Sequence, residues 1–248
     1  MGVLGVTAKD LTPRAIAVTP YVVANRATVT TTLALLTKAQ MLRNRPAAAL
    51  FAGGVHVGGD VSVTMHAEPQ WFDANIRRPE AEKYPPAKSL LAIPFHRRLL
   101  WWYVGRVVMT FDDPDVTTRA TGTTGTVAGD DRATITSIVD GHVRITPLDR
   151  QIDVEGDEIP LDADVSDGPG CLLVHHETEA MAELLSLTLR GTVRDSVLEV
   201  THRKGSLTPQ NPRTLAQLAS LRQLGRAARA NRPAIDGWNN TTPKEQLP

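Results

Sequence analysis

One segment of the chain, residues 29–46, carries groups that suit the binding of an anion. Thr30–Thr32 end a run that favours a strand, and Thr37 and Lys38 begin a run with helical spacing. Hydroxyls, unpaired N–H groups at a helix N-terminus and one ammonium would converge there, an arrangement suited to a phosphate. The same residues also fit a threonine-rich strand in which Thr37 caps the helix and Lys38 lies in solvent.

Two other sets of residues carry metal-binding or nucleophilic groups. His175 and His176 precede Glu177 and Glu179, but neighbouring strand residues point to opposite faces, so we predict a strand end with solvated side chains and no metal site. Cys171 lies in an apolar run and is predicted to be a packed, unreactive thiol. The sequence has no serine-nucleophile elbow, no phosphate-binding glycine–lysine loop and no dinucleotide-binding glycine motif.

The composition indicates a globular protein. The chain has 248 residues, of which 42% are hydrophobic and 22% charged, and this length fits one large or two small domains. No apolar run is long enough to cross a bilayer, so no membrane partner is predicted. The start of the chain lacks the features of a secretory signal, and a single cysteine fits a reducing compartment, so we predict a cytoplasmic protein.

The net charge of zero hides a segregation of charge along the chain. Residues 1–124 have a balance of +5, residues 125–200 of −11 and residues 201–248 of +6. A phosphate-bearing ligand should therefore prefer the first segment or the tail, although the basic ends could equally pack over the acidic part. The basic tail lacks interleaved aromatic residues, which argues against a nucleic-acid partner.

The elements that must position these residues are mostly strands. We predict strands at Val3–Thr7, Arg14–Ala24, Ala27–Thr32, Ala47–Phe51, Val61–Met65 and Val104–Phe111. We expect a glycine-rich hairpin at Gly53–Gly59, a turn at Asp112–Pro114 and irregular chain over residues 67–100, with helical potential from Lys88 to Trp102. A linker is predicted at Thr117–Gly129.

The part after the linker weakly repeats the first part. The segments His142–Pro147, Pro169–Val174 and Leu189–Val193 mirror Arg14–Pro20, Pro46–Phe51 and Val57–Val61, in the same order. A helix is predicted at Arg213–Ala230 because leucines recur there at helical spacing. We therefore predict three parts: 1–120 as a cofactor-binding half, 121–205 as a degenerate second half, and 206–248 as a C-terminal helix and tail.

The run from Val3 to Phe51 resembles the FMN-binding split-barrel superfamily, which comprises the pyridoxamine-phosphate-oxidase-like proteins and their deazaflavin-using relatives. Those proteins have opening strands, a strand ending in threonine, a Ser/Thr-x-Lys type of helix start and a strand that begins at proline. In this sequence the matching features are Thr31-Thr32, Thr37-Lys38, Leu42, Pro46 and Ala47–Phe51. The resemblance covers residues 3–65 well and 100–111 loosely.

The resemblance implies a fold and a cofactor site. The fold would be mainly β with helices (α+β): a split β-barrel in two tandem copies that form a pseudo-dimer, with a C-terminal helix. It implies that FMN, or alternatively a deazaflavin coenzyme, places its phosphate at Thr30, Thr31, Thr32, Thr37 and Lys38. The backbone of Val18 and Thr19 would lie beside the ring. The second copy has carboxylates in place of the Thr-Lys helix start, and these would repel a phosphate.

The resemblance further implies an oxidoreductase that transfers hydride to a small molecule of unknown identity, as a monomeric pseudo-dimer or a homodimer. The alternative is a non-catalytic flavin- or haem-binding carrier or sensor. Trp101, Trp102 and Tyr103 could stack on a flavin or fill a core, with the core favoured because large aromatic side chains supply core area. Arg106 could face the site or form a surface pair.

Overall fold

The computed structural model describes residues 1–93, 95–118, 132–148, 152–177, 184–208 and 214–239. Its strands are β1 Gly2–Thr7, β2 Pro13–Val18, β3 Pro20–Val23, β4 Arg26–Thr32, β5 Ala47–Ala52, β6 Val55–His66, β7 Arg106–Thr118, β8 Arg132–Val139, β9 His142–Leu148, β10 Glu158–Pro160, β11 Gly168–Glu177, β12 Leu184–Arg194 and β13 Val197–Ser206. Its helices are α1 Thr37–Asn44, α2 Pro69–Asn75, α3 Arg77–Lys83, α4 Pro85–Leu91, α5 His96–Leu99, α6 Trp101–Val104, α7 Thr214–Ala230 and α8 Arg232–Asn239. The predicted class, mainly β with helices, is confirmed.

The first sheet has the strand order β2-β1-β5-β6-β7-β4-β3, and β1 pairs antiparallel with both β2 and β5. The β1–β2 ladder ends at the pair Gly2–Val18. The predicted strand Arg14–Ala24 is divided there into β2 and β3, because Pro20 has no N–H with which to continue a ladder. The β5–β6 hairpin turns at Gly53 and Gly54, whose φ angles of 58° and 79° suit glycine in a two-residue turn.

The second sheet has the order β10-β13-β12-β11-β8-β9. Its β8–β9 hairpin turns at Asp140 and Gly141, both with positive φ, as the Asp-Gly signal predicts. When β8–β13 are matched to β1, β2, β4, β5, β6 and β7, the two sheets have the same strand order. The three pairs of mirrored segments lie on matching strands: β2 with β9, β5 with β11, and β6 with β12.

The two sheets pack against each other through an exchange of matching elements. Strand β2 packs on β8 and β11, and in return β9 packs on β1 and β5. A shared core contains Val3, Ala15, Ala49, Val143, Ile145, Cys171 and Leu173. Gly5 permits the close approach, because a Cβ at this position would lie 2.8 Å from Val143 Cγ1. The Sγ of Cys171 accepts a hydrogen bond from the Ala15 N–H at 3.3 Å, and burial raises the pKa of the thiol, in agreement with the predicted packed, unreactive cysteine.

The chain divides into two compact units. The first comprises Met1–Thr28, Met41–Ser62 and Thr110–Pro209, and the second comprises Val29–Gln40, Val63–Met109 and Gln210–Pro248. All the strands that pack the two sheets together belong to the first unit, and so does the shared core. The domain boundaries at 120 and 205 remain predictions, and position 120 lies outside the described residues.

Three local predictions were wrong. The predicted turn at Asp112–Pro114 is part of β7, because Asp112 is held by an ion pair to Arg26 at 2.9 Å and by the Ser62 hydroxyl at 3.2 Å. Gly58 and Gly59 lie inside β6 rather than in the hairpin turn. Residues 69–83, predicted to be irregular, form α2 and α3, because prolines such as Pro69 fall in the first turn of a helix.

The structure bears on the predicted tail helix and on only a small part of the predicted linker. The predicted tail helix is confirmed as α7, and α8 follows it in a stretch for which no helix is predicted. Most of the predicted linker Thr117–Gly129 lies outside the described residues. No helix among the described residues is both long and apolar enough to cross a membrane.

Candidate functional site

The junction between β4 and α1 is a tightly bonded corner in the second unit. The N–H of Leu33 donates to the carbonyl of Trp102 at 3.1 Å, and the N–H of Leu35 donates to the carbonyl of Thr32 at 3.1 Å. The hydroxyl of Thr31 donates to the Leu35 carbonyl at 2.9 Å, so its proton is committed to the loop. The corner therefore has a fixed backbone between the threonine-ended strand and the helix.

A residue of the tail also holds this corner. The side-chain amide of Asn231, between α7 and α8, donates to the carbonyls of Leu33 and Ala34 at 3.0 and 3.3 Å. On the other side, Gly105 leaves room for Leu33, whose Cδ1 would lie 2.6 Å from a Cβ at position 105. Backbone groups of the loop are thus satisfied by partners from three separate parts of the sequence.

Lys38 lies in the first turn of α1, after the exposed Thr37. Its side chain is half-buried, and burial, followed by the positive charge of Arg106, lowers the pKa of its ammonium from 10.5 to about 8. Among the described residues, no carboxylate forms an ion pair with Lys38. A cation in this setting is destabilised by its surroundings and gains from a nearby negative charge.

Arg106 is the second cation of the corner, and it is buried rather than part of a surface pair. One of its terminal nitrogens donates to Glu80 Oε1 at 2.6 Å. The guanidinium also lies 4.8 Å from the ring centre of Phe72 and 4.7 Å from that of Tyr103, which adds cation–π attraction. Its Nε is buried and has no hydrogen-bond partner.

The aromatic cluster serves packing and the Arg106 network. Trp102 is buried, and its ring meets that of Tyr103 edge to face with 6.0 Å between centroids. The Tyr103 hydroxyl donates to Glu80 Oε1 at 2.5 Å, and burial together with the Glu80 charge raises the pKa of that hydroxyl. One carboxylate thus accepts from both the tyrosine and the arginine.

The corner carries more positive than negative charge. Lys38 and Arg106 bring two cations, whereas Glu80 brings one carboxylate. Two buried donors, Thr32 Oγ1 and Arg106 Nε, have no partner, although buried polar groups are normally satisfied. The N–H groups at the start of α1 add partial positive charge. This combination of groups can bind an oxyanion such as a phosphate.

The predicted site residues fall in both units. Thr30, Thr31, Thr32, Thr37 and Lys38 all belong to the second unit. Val18 and Thr19 belong to the first, where Val18 is buried at the end of β2 and the Thr19 hydroxyl donates to Met1 Sδ at 3.3 Å. Their placement beside a cofactor ring stays a prediction.

Sequence reasoning did not find Glu80 or Asn231. A signal for Glu80 existed, because it follows Phe72 of α2 and Ile76, between α2 and α3, at a spacing of four, and both are fully buried. A carboxylate in register with two core residues is expected to have a buried cation as its partner. Asn231 gave no comparable signal, since an asparagine after a helix is ordinary.

The histidine pair differs from expectation in part. His175 is buried in β11, so the predicted solvated position was wrong for it, because β11 is a central strand between β8 and β12. His176, on the opposite face, is half-buried. Within the described ranges, no group of three or more metal-binding side chains is placed to hold an ion.

The first unit contains an acidic cavity of about 380 Å³. It is lined by His56, Ile145, Thr146, Pro147, Asp162, Ala163 and Asp164. Thr146 and Pro147 end the mirrored segment of β9, and the two aspartates lie between β10 and β11.

No family model matches the chain, and no curated protein matches it. Among solved structures, the crystal structure of the protein Atu2129, of unknown function, from Agrobacterium tumefaciens str. C58 matches with 15% sequence identity and a TM-score of 0.31. The match covers 49% of this chain and 52% of that one, so this chain spans about half the length of that protein.

Proposed function

We propose that the protein is an oxidoreductase of the split-barrel type that binds FMN or a deazaflavin coenzyme. The observation that carries the proposal is the unbalanced charge of the corner, where two cations, Lys38 and Arg106, lie with one carboxylate, Glu80. A bound phosphate would reverse the cost of burying Lys38, because a nearby negative charge favours the ammonium form.

The residues present fit a phosphate monoester. The Lys38 ammonium and the N–H groups at the start of α1 supply charge and donors on one side. The Thr32 hydroxyl and the Arg106 Nε are buried donors without a protein partner. Charge-assisted hydrogen bonds from such groups are the strong ones, and they would hold the phosphate in one orientation.

The architecture supports the split-barrel part of the proposal. The two sheets share one strand order, and β2 and β9 exchange equivalent contacts with the opposite sheet. This exchange is what a two-fold axis produces at an isologous interface. We infer a tandem pseudo-dimer within one chain, in which the first copy keeps the anion-binding corner.

A bound flavin or deazaflavin supplies the hydride-transfer chemistry, and the protein contributes binding, orientation and electrostatics. In this proposal Lys38, Thr32 and Arg106 fix the phosphate end. The reaction requires no acid–base residue from the corner.

The test is a titration of the apo-protein with FMN, with riboflavin and with a deazaflavin coenzyme, followed by fluorescence. We expect FMN or the deazaflavin to bind, and riboflavin, which lacks the phosphate, to bind ten- to a hundredfold more weakly. Reduction of the loaded protein by a nicotinamide or reduced deazaflavin donor then separates an enzyme from a carrier or sensor. If neither cofactor binds, or if riboflavin binds as tightly as FMN, the proposal is wrong.

A further inference from the structure

The second unit contains three exposed apolar side chains in one stretch of seven residues. Ile93, Phe95 and Leu99 are 40%, 82% and 63% exposed, in a chain with only 4% aromatic residues. They follow α4 and continue into α5. Exposed large apolar residues are normally scattered singly, so a group of them marks a contact surface.

The same stretch is strongly basic. Residues 83–106 contain five lysines and arginines and no aspartate or glutamate. Lys88, Arg97 and Arg98 are exposed, and Arg97 forms an ion pair with Asp73 at 2.7 Å. Lys88 and Arg98 have no acidic partner among the described residues. We call Lys88, Ile93, Phe95, Arg98 and Leu99 the apolar–basic patch.

We propose that the apolar–basic patch docks onto an anionic phospholipid surface. Protruding apolar side chains beside unpaired cations are the pattern of interfacial membrane binding, in which the apolar groups enter the headgroup region and the cations attract anionic lipids. The absence of a membrane partner was predicted from the lack of a spanning run. That criterion concerns crossing a bilayer and does not address contact with its surface.

A second copy of the chain is the less favoured occupant. The acidic segment Asp153–Asp167 could attract the cations of the patch. Among the described residues, however, none of the exposed large apolar side chains falls in that segment, so Phe95 and Leu99 would meet polar surface there. An anionic lipid surface offers negative headgroups to the cations of the patch and an apolar layer to Phe95 and Leu99.

The experiment is co-sedimentation of the full chain with vesicles of phosphatidylglycerol and phosphatidylcholine, and with vesicles of phosphatidylcholine alone. We expect binding to the anionic vesicles only, weakened about tenfold when salt is raised to roughly 0.5 M, because salt screens charge at the surface. The double variant Phe95→Ser/Leu99→Ser should bind at least tenfold more weakly. Its matched control is Leu11→Ser/Val116→Ser, which removes apolar side chains that are 58% and 55% exposed elsewhere.

The charge is tested separately with Arg98→Glu, for which we expect about tenfold weaker binding. Arg144→Glu changes the net charge equally at an exposed residue of β9 and should bind like the wild type. Equal binding of variants and controls, or no binding of wild type to anionic vesicles, overturns the proposal. So does self-association without vesicles that is lost in Phe95→Ser/Leu99→Ser, because the patch would then belong to a contact between protein copies.

Discussion

The two sheets share a strand order but carry opposite charge at the same place in that order. Between β2 and β5, residues 19–46 include four basic and no acidic residues. Between β9 and β11, residues 149–167 include eight acidic residues and one arginine. The first segment contains the corner with Lys38, and the second contributes Asp162 and Asp164 to the acidic cavity.

Strand order and the charge of the connecting segments therefore vary independently between the two sheets. Apolar strands such as β5 and β11 hold equivalent positions in the two sheets. The connections that precede these strands differ in charge. A phosphate would be attracted by one connection and repelled by the other.

Removal of Arg106 should have the largest effect on this comparison. In Arg106→Met, the buried Glu80 carboxylate loses its cation, and breaking a buried pair in this way costs about 3–5 kcal/mol in the free energy of unfolding. Chemical denaturation measures this loss, and FMN affinity should fall as well. The corner would then hold one cation and one carboxylate, which reduces its charge difference from the acidic connection of the second sheet.

The control is the double variant Arg106→Met/Glu80→Gln. It removes both charges and leaves an amide oxygen to accept from the Tyr103 hydroxyl, so it should recover most of the lost stability. If the single and double variants are equally stable, the pair with Glu80 does not hold this part of the fold.

Removal of Lys38 should affect binding more than folding. Lys38→Ala is expected to weaken FMN affinity ten- to a hundredfold, about 1.5–3 kcal/mol, because a charge-assisted contact to phosphate is lost. Arg45→Ala removes the same charge from an exposed residue just past α1 and should bind FMN like the wild type. Unchanged affinity in a folded Lys38→Ala protein would remove Lys38 from the site.

The fold could be predicted from sequence where strands have strong local signals. The Asp140-Gly141 turn, the strands around it and the mirrored segments are examples, since turn chemistry and β-branched residues act over a few positions. The Asp112–Pro114 region could not be predicted. Its strand depends on Arg26 and Ser62, which are distant in the sequence.

The candidate site divides in the same way. The Thr-Lys pattern places Lys38 at the start of α1, and the structure agrees. The roles of Arg106 and Glu80 depend on a contact between residues 26 positions apart, which periodicity alone does not reveal. The local sequence pattern therefore identifies Lys38. The charges of Arg106 and Glu80 around it are known only from the folded structure.

The pH dependence of FMN binding tests whether the charge of Lys38 holds the phosphate. The pKa of Lys38 is about 8 in the free protein, so its charge is present at pH 7 and mostly lost at pH 9. Affinity should be near its maximum at pH 7 and should fall about tenfold between pH 7 and pH 9, since the bound phosphate needs the ammonium protonated. Fluorescence titration measures this, and Lys38→Arg should show no such fall.

Stability should change in the opposite direction. Between pH 8 and 10.5, unfolded Lys38 with its ordinary pKa of 10.5 binds a proton that the folded form has released, so the free energy of unfolding from this group rises with pH. Below pH 8 the cost of burying the cation is fully present. A Lys38→Met protein should lose this pH-dependent contribution, and if its profile matches that of the wild type, the lowered pKa is not real.

The smallest expected effect comes from the tail residue that holds the corner. Asn231→Ala removes two hydrogen bonds to the carbonyls of Leu33 and Ala34 and should cost about 1 kcal/mol in the free energy of unfolding. FMN affinity should fall a few-fold, because the loop before Lys38 becomes less ordered. Asn44→Ala, at an exposed asparagine that ends α1, is the control. A loss of stability without any loss of affinity would mean that α7 and α8 stabilise the second unit without positioning Lys38, and the difference between the two connections would then rest on charge alone.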